Sequence, residues 1–359
     1  MSLAGADDTP RAVPAPEPGL PWTSRRPAPG ELRFEALSEA QPGPKWVSVV
    51  ERTWPAYTEW YLAEGDAARP SYVECRRALA RHMPELIPLW QRLTELAGGS
   101  DLAARLLSLY CPPPHATGCS QAIWPAGAES GPPALVRNYD YHPAACEGVL
   151  LRSDWDGTAV LAMGDCLWGV LDGLNEHGLA VSLSFGGRSA SGPGFGIQLI
   201  LRYVLQTCRH LDEAVAVLSR VPSHMTYSIT LLDAAGRGAT VWVAPDRPPA
   251  RSPVDLAANH QAGVEWPEHA AATGSVAREQ ALAAGLAAAD TGLDGFVQRF
   301  LEPPLFSHQY ARGFGTLYTA VYRPELGAVR YRWPGLTWEQ TLHDFREGEV
   351  LIRFAAPPT

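Results

Sequence analysis

The sequence predicts an α+β fold, with helices and antiparallel strands gathered in separate stretches instead of alternating. Three observations carry this. The first third of the 359 residues spaces its apolar side chains three and four apart, the period of an amphipathic helix. After Cys119 the chain breaks into short runs rich in β-branched residues, separated by Gly and Asp turns. Runs of strands, then helices, then strands again favour antiparallel sheets covered by helices over a parallel βαβ wind.

Taken in order, residues 1–30 are rich in Pro and Ala and predict a disordered tail. From Glu31 to Tyr110 the pattern reads as helical, in WVSVVERTWPAYTEWYLAEG and in YVECRRALARHMPELIPLWQRLTELAGG, where Gly98-Gly99 forms a helix stop. LAARLLSLY is a further short helix, ended by Cys111 and the prolines 112–114. Beyond Cys119, SQAIW, ALVRNYDYH, GVLLRSDW, TAVLAMGD and GLAVSLSF predict strands. A helix over IQLILRYVLQTCRHLDEAVAVLSRV covers them, and the strands YSITLLDAAG and ATVWVAP follow. SVAREQALAAGLAAAD is another helix, and GTLYTAVYRPELGAVRYRWPG a hairpin.

Composition narrows the function. With 46% hydrophobic and 19% charged residues the chain can bury a sizeable core. A net charge of −9 opposes a nucleic-acid partner, which requires a basic face. No run approaches eighteen apolar residues, and the acidic, proline-rich start lacks a secretory pattern, so no membrane association and a cytoplasmic location are expected. The six cysteines form no CxxC pair and no metal-ligand spacing, and the chemistry read from the residues below requires neither a metal nor a cofactor.

One cysteine stands apart. In HATGCSQ, Cys119 follows a glycine among small polar neighbours, at the boundary between the helical and the sheet-rich stretches. A thiol needs a base to react at neutral pH. If the Gly118–Cys119 bond breaks, the new α-amine, with a pKa of roughly 7.7–8.0, can take the thiol proton itself. Gly118 suits such a break because it tolerates strained backbone angles. Arg137 and Asp140 in LVRNYDYH supply a cation and a carboxylate. Strict alternation, however, places residues three apart on opposite faces, so a turn or bulge would be needed to bring both to one site.

The ordered motifs GCSQAIW, RNYDYH, LNEHGLAVSLSFGG, AANHQ, SVAREQAL and TLYTAVYRPELGAVRYRWPG resemble the penicillin acyltransferase family of N-terminal-nucleophile hydrolases. That is the family of isopenicillin-N acyltransferase, also called acyl-coenzyme A:6-aminopenicillanic acid acyltransferase. Choloylglycine hydrolases and penicillin V acylases are more distantly similar. The resemblance runs from about Trp46 to Gly335 and includes HMPEL in the helical stretch. It implies a four-layer αββα sandwich, with residues 31–118 as a helical pro-segment that stays associated as a small subunit, and 119–359 as the catalytic segment. It implies Cys119 as nucleophile, Asp140 as the acid holding the new amine, Arg137 beside the thiol and Arg278 as a brace. Asn259 and a backbone N–H of Gly187 or Arg188 would form the oxyanion hole. The implied substrate is a small-molecule acyl amide or acyl thioester. Ser184 and Gln261 depart from the family pattern and leave substrate identity open.

Alternatives remain at this point. Cys119 could be an internal residue of a non-catalytic binding protein, or the nucleophile of a Cys-His hydrolase that uses His115 or His260 without self-cleavage. Phe185, Trp266 and Phe314 are candidate walls of an acyl pocket. Whether the protein transfers or hydrolyses, and whether it forms a homo-oligomer, is not legible.

Overall fold

The computed structural model describes residues 11–12, 30–127, 131–288 and 292–354. Apart from Arg11–Ala12, which pair with Ala190–Ser191, the tail expected over residues 1–30 lies almost wholly outside the described residues.

The elements that position the site are, in chain order, strand β1 (Glu31–Glu39) and helices α1 (Pro44–Tyr61), α2 (Tyr72–His82), α3 (Ile87–Leu96) and α4 (Asp101–Leu107). Strands β2 (Gly118–Trp124), β3 (Ala134–Tyr141), β4 (Val149–Ser153), β5 (Val160–Asp165), β6 (Gly169–Asn175) and β7 (Leu179–Phe185) follow. Then come α5 (Ile197–Thr207), α6 (Leu211–Arg220), β8 (Tyr227–Asp233), β9 (Gly238–Val243) and β10 (Leu256–Ala257). The chain continues with α7 (Pro267–Thr273), α8 (Ser275–Ala287), α9 (Gly292–Arg299), β11 (Phe314–Arg323), β12 (Ala328–Trp333), β13 (Leu336–Thr341) and β14 (Gly348–Arg353).

Two sheets result. One runs Ala250–Arg251, β9, β8, β7, β6, β5, β4, β1, β14; the other runs β10, β2, β3, β11, β12, β13, with His308–Gln309 attached to β11. They face each other across a core that includes Leu135, Tyr139, Leu183 and Ile229. Helix α5 packs on β6 and α6 on β9, while α8 packs on β2 and β10, giving the order helix, sheet, sheet, helix. The α+β class and its layered form are therefore as expected.

Several elements differ from the sequence reading. The stretch from Glu31 does not begin as a helix. Its first nine residues form β1, parallel to β4 and antiparallel to β14, with Phe34 and Ala36 turned inward by the period of two. The acidic and Leu/Ala residues that suggested a helix yielded to pairing on both edges. The long helical run of 72–97 is cut at Met83-Pro84, and the run of 197–221 at Cys208. Gly98 and Gly99 both take positive φ, as the helix stop requires. Strand β6, unrecognised in the sequence, is fully buried between β5 and β7.

The helical stretch is welded to the sheets by buried indoles. Trp46 Nε1 donates to Leu167 O at 2.9 Å, and Trp168 Nε1 donates to Leu107 O at 2.8 Å. Each bond satisfies a carbonyl that burial would otherwise leave unpaired.

Candidate active site

Strands β2 and β3 pair antiparallel, with Gly118 opposite Asp140, Cys119 opposite Tyr139 and Gln121 opposite Arg137. Alternation then sorts the side chains. Cys119, Gln121, Arg137 and Tyr139 point between the sheets, where Gln121 Nε2 reaches Ser228 O at 3.0 Å. Ala122, Val136, Asn138 and Asp140 point to the outer layer, among Leu282, Phe296 and the loop around Phe300 and Leu305.

Arg137 and Asp140 thus do lie on opposite faces of β3, and no bulge in that strand brings them together. Each reaches the Gly118–Cys119 junction from its own side. On the inner face, Arg137 Nη2 donates to Cys119 Sγ at 3.2 Å. On the outer face, Asp140 presses against Gly118: a Cβ added there would stand 3.1 Å from Asp140 Cβ and 3.4 Å from Asp140 Oδ2. The glycine is needed for this close approach rather than for backbone strain, since Gly118 lies in a strand and not at positive φ.

Arg137 is held by a residue the sequence reading missed. Its Nη1 donates to Asp172 Oδ2 at 2.6 Å and to Leu171 O at 3.0 Å, with both charged side chains fully buried. Asp172 also accepts from Tyr318 Oη at 2.6 Å and from Tyr322 Oη. The guanidinium sits 5.0 Å from the Tyr139 ring centroid and 5.9 Å from that of Tyr318. Burial, the largest influence, disfavours the guanidinium charge, but Asp172 together with Tyr318, Cys119 and Tyr139 outweighs it and holds Arg137 more firmly protonated than usual. Asp172 lies on β6, the strand absent from the sequence reading, and no motif pointed to it.

The outer ion pair is similarly enclosed. Arg278 on α8 donates through Nη1 to Asp140 Oδ2 and through Nε to Pro304 O at 3.0 Å; Thr316 Oγ1 donates to Asp140 Oδ1 at 2.6 Å. Arg278 is 3% exposed, so it is a buried partner and not a solvated helix residue.

Asn259 lies against the same junction. Its Oδ1 accepts from the Cys119 backbone N–H at 3.0 Å, and its Nδ2 donates to Phe185 O at 3.3 Å and Thr117 O at 3.4 Å. Gly187 packs onto the Asn259 backbone: at φ +68°, an added Cβ would fall 2.2 Å from Asn259 O, which only glycine permits. The Arg188 side chain leads away to Asp246 and Glu265. Ser184 and Gln261, the two departures from the family pattern, bond to the carbonyls of Ala258 and Tyr227.

Cys119 itself is fully buried, and burial pushes its thiol up, against the pull of Arg137. Its sulfur meets Arg137 and, at 3.8 Å, Thr117 Oγ1. The two histidines weighed as bases are engaged elsewhere: His115 Nε2 meets Gln198 at 3.2 Å, while His260 lies 2.8 Å from Ser275 Oγ and 3.1 Å from Glu279. Phe185, Trp266 and Phe314 gather around His269, at centroid distances of 4.9, 5.2 and 5.9 Å. Phe314 Cδ1 would lie 3.4 Å from a Gly118 Cβ, so this aromatic group borders the junction. Burial lowers the His269 pKa to about 4, leaving it neutral. Among the described residues no group of three or more His, Cys, Asp or Glu could hold a metal ion, and no helix is long and apolar enough to cross a membrane.

Comparison with known proteins adds to this geometry. The chain matches no curated protein. Solved structures similar to it include penicillin V acylase from Agrobacterium tumefaciens, at 14% identity over 66% of this chain and 92% of that one, with a TM-score of 0.46. An N-acylethanolamine-hydrolyzing acid amidase ortholog from Caenorhabditis elegans shows 17% identity over 58% and 94%, with a TM-score of 0.39. A conjugated bile acid hydrolase mutant from Clostridium perfringens shows 12% identity over 66% and 97%, with a TM-score of 0.42. The family rests on a different match: the model of the acyl-coenzyme A:6-aminopenicillanic acid acyl-transferase family fits residues 127–337, a span that begins eight residues after Cys119 and holds Arg137, Asp140, Asn259 and Arg278. With more than half of its length so matched, the chain belongs to the acyl-coenzyme A:6-aminopenicillanic acid acyl-transferase family.

Proposed function

We propose that this protein cuts its own Gly118–Cys119 bond and then transfers or hydrolyses acyl groups of linear amides or acyl thioesters through a Cys119 acyl-enzyme. The observation that carries the reading is the double hold on one residue. The Cys119 sulfur is bound by Arg137 while the Cys119 N–H is bound by Asn259 Oδ1. A nucleophile and its own backbone nitrogen are kept together, on rigid strands, with charge on either side.

The steps balance without a co-reactant other than water. Cys119 Sγ attacks the Gly118 carbonyl carbon, the C–N bond breaks and the departing amine takes the thiol proton. Water then hydrolyses the thioester, leaving a Gly118 carboxylate and a free Cys119 thiol with its α-amine. Asp140, pressed against Gly118 and braced by Arg278 and Thr316, is placed to hold that new ammonium. In catalysis the α-amine relays the proton while Cys119 attacks the substrate carbonyl. Arg137 favours the thiolate, and Asp172 keeps Arg137 in position.

The uncut chain supports the same reading from another side. Residues leading to Cys119 occupy the place a substrate needs: Thr117 Oγ1 lies on the sulfur and Thr117 O takes the Asn259 amide. Release of that strand end would expose both the thiol and the donor that an oxyanion requires, a donor worth about 3–4 kcal/mol of barrier. The backbone N–H of Gly187 or Arg188 is the proposed second donor, and Phe185, Trp266 and Phe314 the proposed acyl wall. Residues 31–118 would then remain as an associated small subunit, because β1 is hydrogen-bonded inside a sheet of the catalytic segment. No cofactor is required.

N-terminal sequencing of the mature protein tests the proposal. A fragment starting at Cys119 is expected, together with release of carboxylate from an acyl amide or acyl thioester panel. An active protein with an intact Gly118–Cys119 bond would overturn it.

A further inference from the structure

A second cavity of about 170 Å³ lies between α1 and the turns flanking β4 and β5, away from any residue assigned above. Two carboxyl groups line it, Glu147 and Asp165. Tyr57 Oη donates to Glu147 Oε1 and lies 3.3 Å from Asp165 Oδ1, so one hydroxyl serves both. Leu167 N donates to Glu147 Oε1 at 2.7 Å, Cys166 N to Tyr57 Oη at 2.8 Å, and Gln198 Nε2 to Asp165 Oδ2 at 3.0 Å. The turn that presents these N–H groups is strained, with Cys166 at φ +54° and Leu167 at φ +73°. Two consecutive non-glycine residues in the left-handed region persist only where their surroundings hold them.

The charge here is compensated only at a distance, by Arg52. Among the described residues neither carboxyl forms a salt bridge; Arg52, the basic residue lining the cavity, is bound to Glu35 at 2.7 Å. His115 is neutral through burial and faces Gln198. The remaining titratable groups facing the pair, Tyr57, Tyr141, Cys146 and Cys166, are all pushed up by burial and bring no positive charge. A second observation points to a ligand: Tyr141, 5% exposed, lines the cavity, and its hydroxyl has no hydrogen-bond partner among the described residues. With Trp60 and Tyr57 it gives the cavity an aromatic wall.

Buried carboxyls without a directly bound cation, an aromatic lining and an idle hydroxyl are the surroundings that hold an organic ammonium group. We propose that this cavity binds a small organic ammonium ion, which Glu147 and Asp165 neutralise and the rings of Trp60, Tyr57 and Tyr141 enclose. The volume equals roughly six waters at ~30 Å³ each, enough for a head group of a few heavy atoms. The ligand would touch both α1 and the segment after Cys119, and so would fasten the two parts of the chain together. The site does not depend on the Gly118–Cys119 reaction.

Burial and then Asp165 hold the Glu147 carboxyl up at about 7. An arriving cation must displace that proton to solvent. Affinity therefore rises as pH passes upward through about 7, by about tenfold between pH 6 and pH 8.

Tetramethylammonium chloride, which does not titrate, is the probe, with neutral tert-butanol as its isostere. Calorimetry on the purified full chain at constant ionic strength should show saturable millimolar binding at pH 8, about tenfold weaker at pH 6, and none for tert-butanol. Glu147→Gln should lose at least tenfold in affinity and lose the pH dependence. Absence of saturable heat at both pH values, equal binding of tert-butanol, or an unchanged Glu147→Gln would overturn the proposal. Should that variant not fold, the pH profile and the isostere comparison on the unaltered chain decide alone.

Discussion

Cys119 and Cys166 are both buried thiols, and their neighbours carry opposite charge. Cys119 faces the Arg137 guanidinium at 3.2 Å, so the cost of burying a thiolate is partly offset. Cys166 faces Asp165 and Glu147, and burial plus two carboxyls push its thiol far up. Burial alone does not set the two thiols apart; the sign of the nearest charge does. The largest expected effect tests this contrast. Cys119→Ala should abolish acyl release entirely and leave one uncut chain by intact-mass measurement, while Cys166→Ala should leave both cleavage and activity in place. Equal loss in the two variants would remove the distinction.

The contrast can be sharpened at the arginine. Arg137 and Asp172 are a fully buried pair, and removing one partner leaves the other charge stranded. Arg137→Gln should cost about 3–5 kcal/mol in denaturant unfolding, and self-cleavage should slow with it. Adding Asp172→Asn should restore part of the stability but none of the cleavage rate, because the cation beside the sulfur is still missing. A double variant that regains both would show that Arg137 acts on the fold and not on the thiol.

That pair also marks the limit of what the sequence discloses. Cys119, Arg137, Asp140, Asn259 and Arg278 could be named because ordered motifs carried them, and the strands following Cys119 showed as β-branched runs between Gly and Asp turns. Asp172 could not. It lies in GVLDGLN, a strand buried on both faces whose Gly and Asn read as turn residues, and its partner is 35 positions away. Strand β1 was illegible for a related reason: Glu and Leu favour helix locally, and only pairing with β4 and β14, far along the chain, makes ELRFEALSE a strand. Local pattern discloses elements whose stabilising contacts are local. The Arg137–Asp140 geometry shows the converse, since alternation correctly put them on opposite faces, and a junction lying between the faces let both reach it.

Asn259 should come next in size. In the uncut chain its amide holds Thr117 O and the Cys119 N–H; in the proposed reaction it meets the oxyanion. Asn259→Ala should slow acyl transfer by about 10²–10³ in kcat, with a much smaller change in KM. A rise in KM at constant kcat would instead assign Asn259 to ground-state binding.

The smallest expected effect lies on the acidic side of the comparison. The Glu147 carboxyl is raised from 4.5 to about 7, so the folded protein holds its proton more tightly than the unfolded chain does. Between those two pH values the folded state binds more protons at this group, so its contribution to stability falls as pH rises and levels off above about 7, opposing the rise that His224 and His269, lowered to about 4, give up to about 6.5. A single proton limits the slope to about 1.4 kcal/mol per pH unit. Glu147→Gln, which keeps an acceptor for the Leu167 N–H, should remove this contribution, so that the difference in urea-unfolding stability between variant and unaltered chain grows in the variant's favour from pH 5 to 7; Asp165 contributes with the same sign in both. Arg137, held protonated throughout this range, contributes no slope of its own. A pH profile unchanged in Glu147→Gln would mean that the carboxyl is already ionised in the folded protein. The contrast between the two buried thiols would then rest on Arg137 alone.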